Sequence, residues 1–308
     1  MQLLIPFAFC SSEGCAATLR SLKLPHLQKL LARLASEPLD AGDELSLSPP
    51  HERALARALG LPVADGLIAW AALQAQAGDG AWGLITPCHW QAGRNHIAMS
   101  GLTLPDFSEQ ESQTLLAAMR PYFEEDGITL HYRQAHCWLA RGELFDGLAT
   151  ASLDRVAGHQ IANWLPSDGK AAKLRRLQSE MQMLLYNHPV NEARAARGAL
   201  PVNAFWLSGT GALPQPPDPA ANPAPRVVNS LRDAALSEDW AAWAQAWTTL
   251  DATECAALLK ALAQGDDVQL TLCGERHAQT FGPTQWGVLT RLKNRLHRQP
   301  AARVLEQL

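Results

Sequence analysis

Residues 188–211 read HPVNEARAARGALPVNAFWLSGTG. The stretch opens on His188, Pro189, Val190 and Asn191 and sets Arg194 and Arg197 three residues apart. It repeats Pro-Val-Asn at Pro201–Asn203 and closes on Trp206 and the Gly209-Thr210-Gly211 turn. Packing segments rarely concentrate so many polar and special-conformation residues, so the stretch reads as a site or the remnant of one. If it is helical, Arg194 and Arg197 fall on successive turns of one face. Guanidinium forks at that spacing suit a phosphate or a carboxylate. The plainer reading pairs the two arginines with Glu180 or Glu192. Asn191 and Asn203 either orient a ligand or close Asx turns after Pro-Val. Ser208-Gly-Thr-Gly either cradles an anion with its N–H groups or ends a buried strand in a tight turn.

Working outward, a helix is expected over 171–186, with Leu174, Leu177, Met181, Leu184 and Leu185 on its apolar face and Ser167 or Asp168 as cap. It stops before Pro189. Upstream, Ala81–Pro87 and His96–Met99 look like paired strands. Ser108 with Glu111 forms a capping box at a helix reaching about Phe123, and 128–133 and 137–139 alternate as strands. The span 81–212 therefore reads as an inserted α+β domain. Residues 1–80 and 213–308 supply a second, α/β lobe. There Leu3–Phe9 is a strand, Pro25–Leu34 and His51–Leu59 are helices, and Leu67–Ala75 is a buried helix. Six prolines between Leu213 and Arg226 make a linker. Helices follow at 239–250, with Trp240, Trp243 and Trp247 on one face, and at 253–263. A strand at 268–273 and a basic amphipathic helix at 286–296 complete the pattern.

The 308 residues are 47% hydrophobic, enough for one large core or two lobes, and the net charge of -4 argues against a nucleic-acid surface. Cysteines 10, 15, 88, 137, 255 and 273 form no Cys-x-x-Cys pair and read as reduced thiols of a cytoplasmic protein. The N-terminus lacks the early basic residues of a signal peptide, and no run reaches the roughly 18 apolar residues of a membrane span. Nucleic-acid and membrane partners are therefore not expected. Ten histidines are scattered without metal-ligand spacing. His89 and His96 flank Arg94 and Asn95. No Gly-x-Ser-x-Gly or Gly-Lys-Ser/Thr occurs.

The run HPVN-x-x-R-x-x-x-G-x-x-PVN-x-x-W-x-x-G-x-G resembles a motif of the archaeal-type, cofactor-independent phosphoglycerate mutases. Gly93-Arg94-Asn95, Asp106 and Ser108 look like the start of that family's inserted domain, and Leu24–Leu27 is similar to its Pro-Asn-Leu helix start. The overall pattern is also similar to the RpfE-type regulatory proteins of proteobacteria. The resemblance implies a reduced alkaline-phosphatase-like α/β lobe with an inserted α+β domain. It also implies, for an active mutase, two divalent metals held by Asp and His and a phosphoryl-carrying Ser. The chain departs from that pattern. Ile5-Pro6-Phe7-Ala8 stands where the first metal-binding Asp is expected, Asp-His-Gly and a late His-Thr are missing, and the C-terminal part is shorter than the resemblance implies. Ser11 and Ser12 have no evident activator. A two-metal centre with ions about 4 Å apart needs a dense ligand set.

The reading is therefore a mutase-like protein that has lost its metal-dependent site and works by binding or regulation. Its expected pocket is lined by Arg94, Asn95, His188, Asn191, Arg194, Arg197 and Asn203. Its ligand is a small phosphorylated or carboxylate compound, or a protein partner. No cofactor is expected. The alternative is an active mutase with an atypical manganese, zinc or magnesium site.

Overall fold

The computed structural model describes residues 1–76, 79–167, 169–283 and 300–308. The helix expected at 286–296 and the Asp168 cap lie outside the described residues. The first part of the chain forms β1 (Gln2–Ile5), α1 (Glu13–Ser21), α2 (Pro25–Leu31), β2 (Ala35–Ser36), α3 (Pro50–Ala58) and α4 (Trp70–Ala75). The middle forms β3 (Ala81–Cys88), β4 (Trp90–Ala92), β5 (Ile97–Met99), α5 (Glu109–Glu125), β6 (Thr129–Gln134) and β7 (Cys137–Arg141). It continues with α6 (Leu153–Val156), α7 (Ala171–Tyr186), α8 (Pro189–Ala196) and β8 (Ala204–Ala212). The last part forms β9 (Arg226–Val227), α9 (Arg232–Leu236), α10 (Trp240–Leu250), α11 (Ala256–Gln264), β10 (Gln269–Cys273), β11 (Ala278–Gly282) and α12 (Ala301–Leu305).

This mixed α/β chain divides into two compact units, residues 1–44, 49–59 and 219–308, and residues 45–48 and 60–218. The expected bound at 80 thus falls at 59 in the structure, because α4 packs on β3 and β8. The second bound lies within the proline-rich stretch, at 218 rather than 212.

In the first unit a five-stranded sheet runs β2-β11-β10-β1-β9, with β1 parallel to β10 and β9 and with β11 antiparallel to both neighbours. β1 alternates as a strand must. Leu3 and Ile5 enter a core with Leu19, Leu27, Trp243, Trp247 and Leu258, while Leu4 joins Cys273, Ala278 and the α3 residues Ala54 and Leu55. Helix α2 starts on Pro25 after a leucine that cannot cap it. Asp251, buried at the π-turn 251–255 between α10 and α11, supplies the cap instead. Its Oδ1 accepts the Leu27 N–H at 2.7 Å and its Oδ2 the His26 N–H at 3.2 Å.

In the second unit β6-β7-β3-β8 form an antiparallel sheet. Phe205 and Leu207 of β8 face the core made by α5 and α7, with Leu115, Met119, Phe123, Leu177 and Met181. Ala204 and Trp206 face the other way, into a cluster with Met99, Val156 and Ile161. The expected pairing of 81–87 with 96–99 is not formed. β5 pairs with β4 in a hairpin of its own, and both edges of β3 are taken by β7 and β8.

Ser208–Gly211 lie inside β8. The register against β3 shifts there, Trp82 facing Gly211 and Leu84 facing Ser208, which is a β-bulge. Gly209 sits at φ +60, and a Cβ on it would stand 3.0 Å from the Trp70 Cβ. Thr210 is fully buried, its hydroxyl bonded to the Leu148 carbonyl and to the Thr150 hydroxyl at 2.9 Å. Gly209→Ala combines a left-handed backbone with a tight contact and is expected to cost roughly 1–3 kcal/mol in urea denaturation. An unchanged midpoint would show that the bulge does not need the glycine.

Candidate functional site

The 188–203 segment opens with a helix capped at both ends, α8, and then runs extended into β8. His188 is the N-cap of α8, its Nδ1 accepting the Val190 N–H at 3.2 Å, and Pro189 takes the first helical position. Arg197 caps the other end, and Gly198 at φ +75 makes the left-handed exit that a side chain resists.

Each Asn of the two Pro-Val-Asn repeats grips a backbone. Asn191 is buried; its Nδ2 donates to the Leu185 carbonyl at 2.8 Å and the Val202 carbonyl at 2.7 Å, and its Oδ1 accepts the Val202 N–H at 2.8 Å. It ties the end of α7 to the start of β8. Asn203 does the same for β4: Oδ1 accepts the Trp90 N–H at 2.7 Å and Nδ2 donates to the Trp90 carbonyl at 2.9 Å. His89 Nδ1 lies 2.9 Å from the Pro201 carbonyl beside it.

Arg194 is 0% exposed. A buried guanidinium requires partners for its N–H groups. Nε donates to the Leu200 carbonyl at 2.8 Å, Nη1 to the Asp106 carbonyl at 3.1 Å and Glu111 Oε2 at 3.2 Å, and Nη2 to the Pro105 carbonyl at 3.1 Å. Its face covers the Phe107 ring at 5.3 Å, and His136 packs against the same ring at 5.5 Å. Arg197 is part-exposed and donates to Glu111 Oε1 at 2.7 Å and to the Asp106 carbonyl at 3.2 Å. Asp106 holds a left-handed φ of 54, with its carbonyl fixed by both arginines. The acid partner of the pair is therefore Glu111, not Glu180 or Glu192. Arg94 and Asn95 stand exposed at the turn of the β4–β5 hairpin, with no hydrogen bond to the 188–203 segment among the described residues.

Glu111 also completes the Ser108 capping box, accepting the Ser108 N–H at 2.9 Å. Burial raises its pKa, but bonds from the Ser108 backbone, Arg197 and the Ser108 hydroxyl, with the charge of Arg194, outweigh it and hold the carboxyl below its usual range. His136 is pushed down by burial and then by Arg194, and His188 by burial. Sequence reasoning assigned Glu111 only to the cap and did not assign Phe107 or His136. The residues converge as a brace with one carboxylate, two guanidiniums and several carbonyls. Among the described residues no three His, Cys, Asp or Glu lie together as metal ligands would.

No family profile matches the chain. A stretch of 126 residues is 26% identical to a probable 2,3-bisphosphoglycerate-independent phosphoglycerate mutase from Geobacter sulfurreducens. The chain is distantly related to that protein over this stretch. The match covers 40% of the chain and 31% of the relative. Two solved structures align at 12% identity. A cofactor-independent phosphoglycerate mutase from Thermoplasma acidophilum matches over 92% of this chain and 90% of its own, with a TM-score of 0.36. A Pyrococcus horikoshii protein matches over 92% and 87%, with a TM-score of 0.39. Likeness at those scores leaves the architecture to be read from this chain itself. Among the described residues no helix is long and apolar enough to cross a membrane.

Two outcomes follow from the brace. Asn191→Ala leaves the Val202 N–H and two carbonyls without their partner and is expected to cost roughly 2–4 kcal/mol by chemical denaturation; a loss under about 1 kcal/mol would show the clamp to be dispensable. Stability should also fall in two acid steps. His136 and His188 have depressed folded pKa values, so their contribution is complete above the unfolded value near 6.5 and declines below it. Glu111 contributes fully above about 4.3 and is lost as pH falls through its lower folded value. Glu111→Gln should remove the second step alone in a pH series of melting temperatures; a second step that persists would move it to another carboxylate.

Proposed function

We propose that this chain is a phosphoglycerate mutase-like protein that has lost the metal-dependent phosphoryl-transfer site and acts as a cytoplasmic binding or regulatory protein, as an RpfE-type bacterial regulator would. In this reading the first unit is a reduced alkaline-phosphatase-like lobe and the second its inserted α+β domain. The observation that carries the reading is where the motif's side chains go. Asn191, Arg194 and Asn203 bond backbone groups and Glu111, so the segment holds its own unit together whether or not a ligand is bound. Two-metal phosphoryl transfer asks for a dense carboxylate and imidazole set, and the described residues bring no three such groups together.

A ligand in this reading is a small phosphorylated or carboxylate compound, or a protein partner. The members of the expected set that face solvent are Arg94, Asn95 and Arg197; Arg supplies charge-assisted bonds and Asn orientation. His188, Asn191, Arg194 and Asn203 hold the 188–203 segment and its neighbours in place. The name of the Geobacter sulfurreducens relative favours a second reading, an active mutase with an atypical manganese, zinc or magnesium site.

The test is direct. The purified full chain, assayed with added manganese, zinc and magnesium, is expected to give no interconversion of 2- and 3-phosphoglycerate and to hold no stoichiometric metal by elemental analysis. Turnover with bound metal would establish the second reading. Calorimetric titration with 3-phosphoglycerate to about 1 mM is expected to show binding that Arg197→Ala weakens roughly tenfold, about 1.4 kcal/mol. No heat at that concentration would leave protein partners as the only ligand class of the reading.

A further inference from the structure

β1 ends at Ile5, and the chain turns through Pro6 and Phe7, which has a left-handed φ of 55. Three bonds fix the turn. The Trp243 and Trp247 indoles donate to the Phe7 and Ala8 carbonyls at 3.0 and 3.3 Å, and the Ala8 N–H donates to the Cys273 carbonyl at 2.8 Å. The turn therefore sits at the carboxyl ends of the parallel strands β1 and β10, where open α/β sheets place their reactive groups.

From this turn the chain delivers two thiols to one point. Ser12 caps α1, its Oγ accepting the Cys15 N–H at 3.2 Å, which puts Cys15 in the first helical turn. The Cys10 N–H points at the Cys15 sulfur at 3.4 Å. Gly14 between them lets α1 lie against Trp240, since a Cβ there would stand 2.5 Å from the indole. Ser11 is held by Glu275, its N–H donating at 2.9 Å. Cys10 is half-buried and reachable, and Cys15 lies fully buried behind it.

We propose that Cys10 and Cys15 are a redox-active dithiol, oxidised by hydroperoxides to an internal disulfide and restored by small thiols. The Cys10 sulfur attacks the terminal oxygen of ROOH; an S–O bond forms, the O–O bond breaks, and the Cys10 proton leaves with the departing oxygen as ROH. The Cys15 sulfur then attacks the Cys10 sulfenic acid. The S–S bond forms, the S–O bond breaks, and hydroxide leaves with the Cys15 proton as water. In sum, two thiols and one hydroperoxide give one disulfide, one ROH and one water, and the two electrons lost by sulfur reduce the peroxide bond.

The hydrogen bond from the Cys10 thiol holds the Cys15 pKa down despite burial, and the same bond, then burial, drives Cys10 up. Burial pushes Cys88, Cys137, Cys255 and Cys273 up, Cys255 to about 12, and Cys88, Cys255 and Cys273 are buried out of an oxidant's reach while Cys10 is not.

The experiment treats the full chain with hydrogen peroxide, alkylates it and maps the cysteines by mass spectrometry. The expected product is a peptide with an internal Cys10–Cys15 disulfide, reopened by dithiothreitol. Titratable thiols in denaturant should fall from six to four. The bond should form about tenfold faster than any loss at Cys88, Cys255 or Cys273. In Cys15→Ser, dimedone should label Cys10 and no internal disulfide should form. The proposal is overturned if, in the unmutated chain, both cysteines stay as alkylatable as the buried three. It is equally overturned if Cys10 passes to sulfinic acid with no disulfide, or joins only to another chain. The unmutated chain decides the matter even if the variant does not fold.

Discussion

A guanidinium with no exposure cannot be left without partners, and in the second unit the positions of several elements follow from that one requirement. Arg194 is bonded to the carbonyls of Pro105, Asp106 and Leu200 and to Glu111, and it rests on Phe107. Those contacts bring together the loop before α5, the first turn of α5, α8 and the approach to β8. Glu111 answers two demands at once, closing the capping box of α5 and neutralising Arg194 and Arg197. Removing one partner of such a buried pair leaves the other uncompensated, so the group is rigid as a whole. Asn191 and Asn203 extend the same logic with neutral amides, each offering a donor and an acceptor to backbone groups.

The first unit relies on a different constraint. A central parallel strand of four residues must be covered on both faces and closed at its carboxyl end. Trp243 and Trp247, spaced to share a helix face, fill the core with their rings while their N–H groups reach the carbonyls of the turn after β1. A buried indole needs an acceptor, and the turn needs donors, so each solves the other's problem.

What the sequence discloses follows from the range of the interactions involved. Helix α7 has the expected limits, because its apolar spacing and the proline beyond it act within one element. The Ser108–Glu111 box is legible for the same reason. β8 is not, since Phe205 and Leu207 face one core and Trp206 the other, and a strand buried on both faces loses its alternation. The bulge at Gly209 hid it further by resembling a terminal turn. The partnership of Glu111 with arginines more than eighty residues away leaves no local mark, and nearer acids drew the assignment instead. β5 pairs with β4 and not with β3, and β4, three residues long, has no periodicity that would announce it in the sequence.

These points bear on what a motif can say about a job. In 188–203 the polar residues that look catalytic are the ones whose hydrogen bonds end on backbone atoms of the same unit. Such bonds are needed by any protein that folds this way, so they speak for the fold of the unit and not for a reaction. Information about chemistry has to come from side chains that the fold does not itself require. At the carboxyl ends of β1 and β10 the fold requires the Phe7 and Ala8 carbonyls and the indoles that meet them. It does not require the Cys15 sulfur on the Cys10 amide at the start of α1, where a serine caps the helix. An alanine would fill the space of the Cys15 side chain with less to bond and nothing to oxidise. The contrast between the braced motif and the unbraced thiols is the reason to look for reactivity at the second place rather than the first.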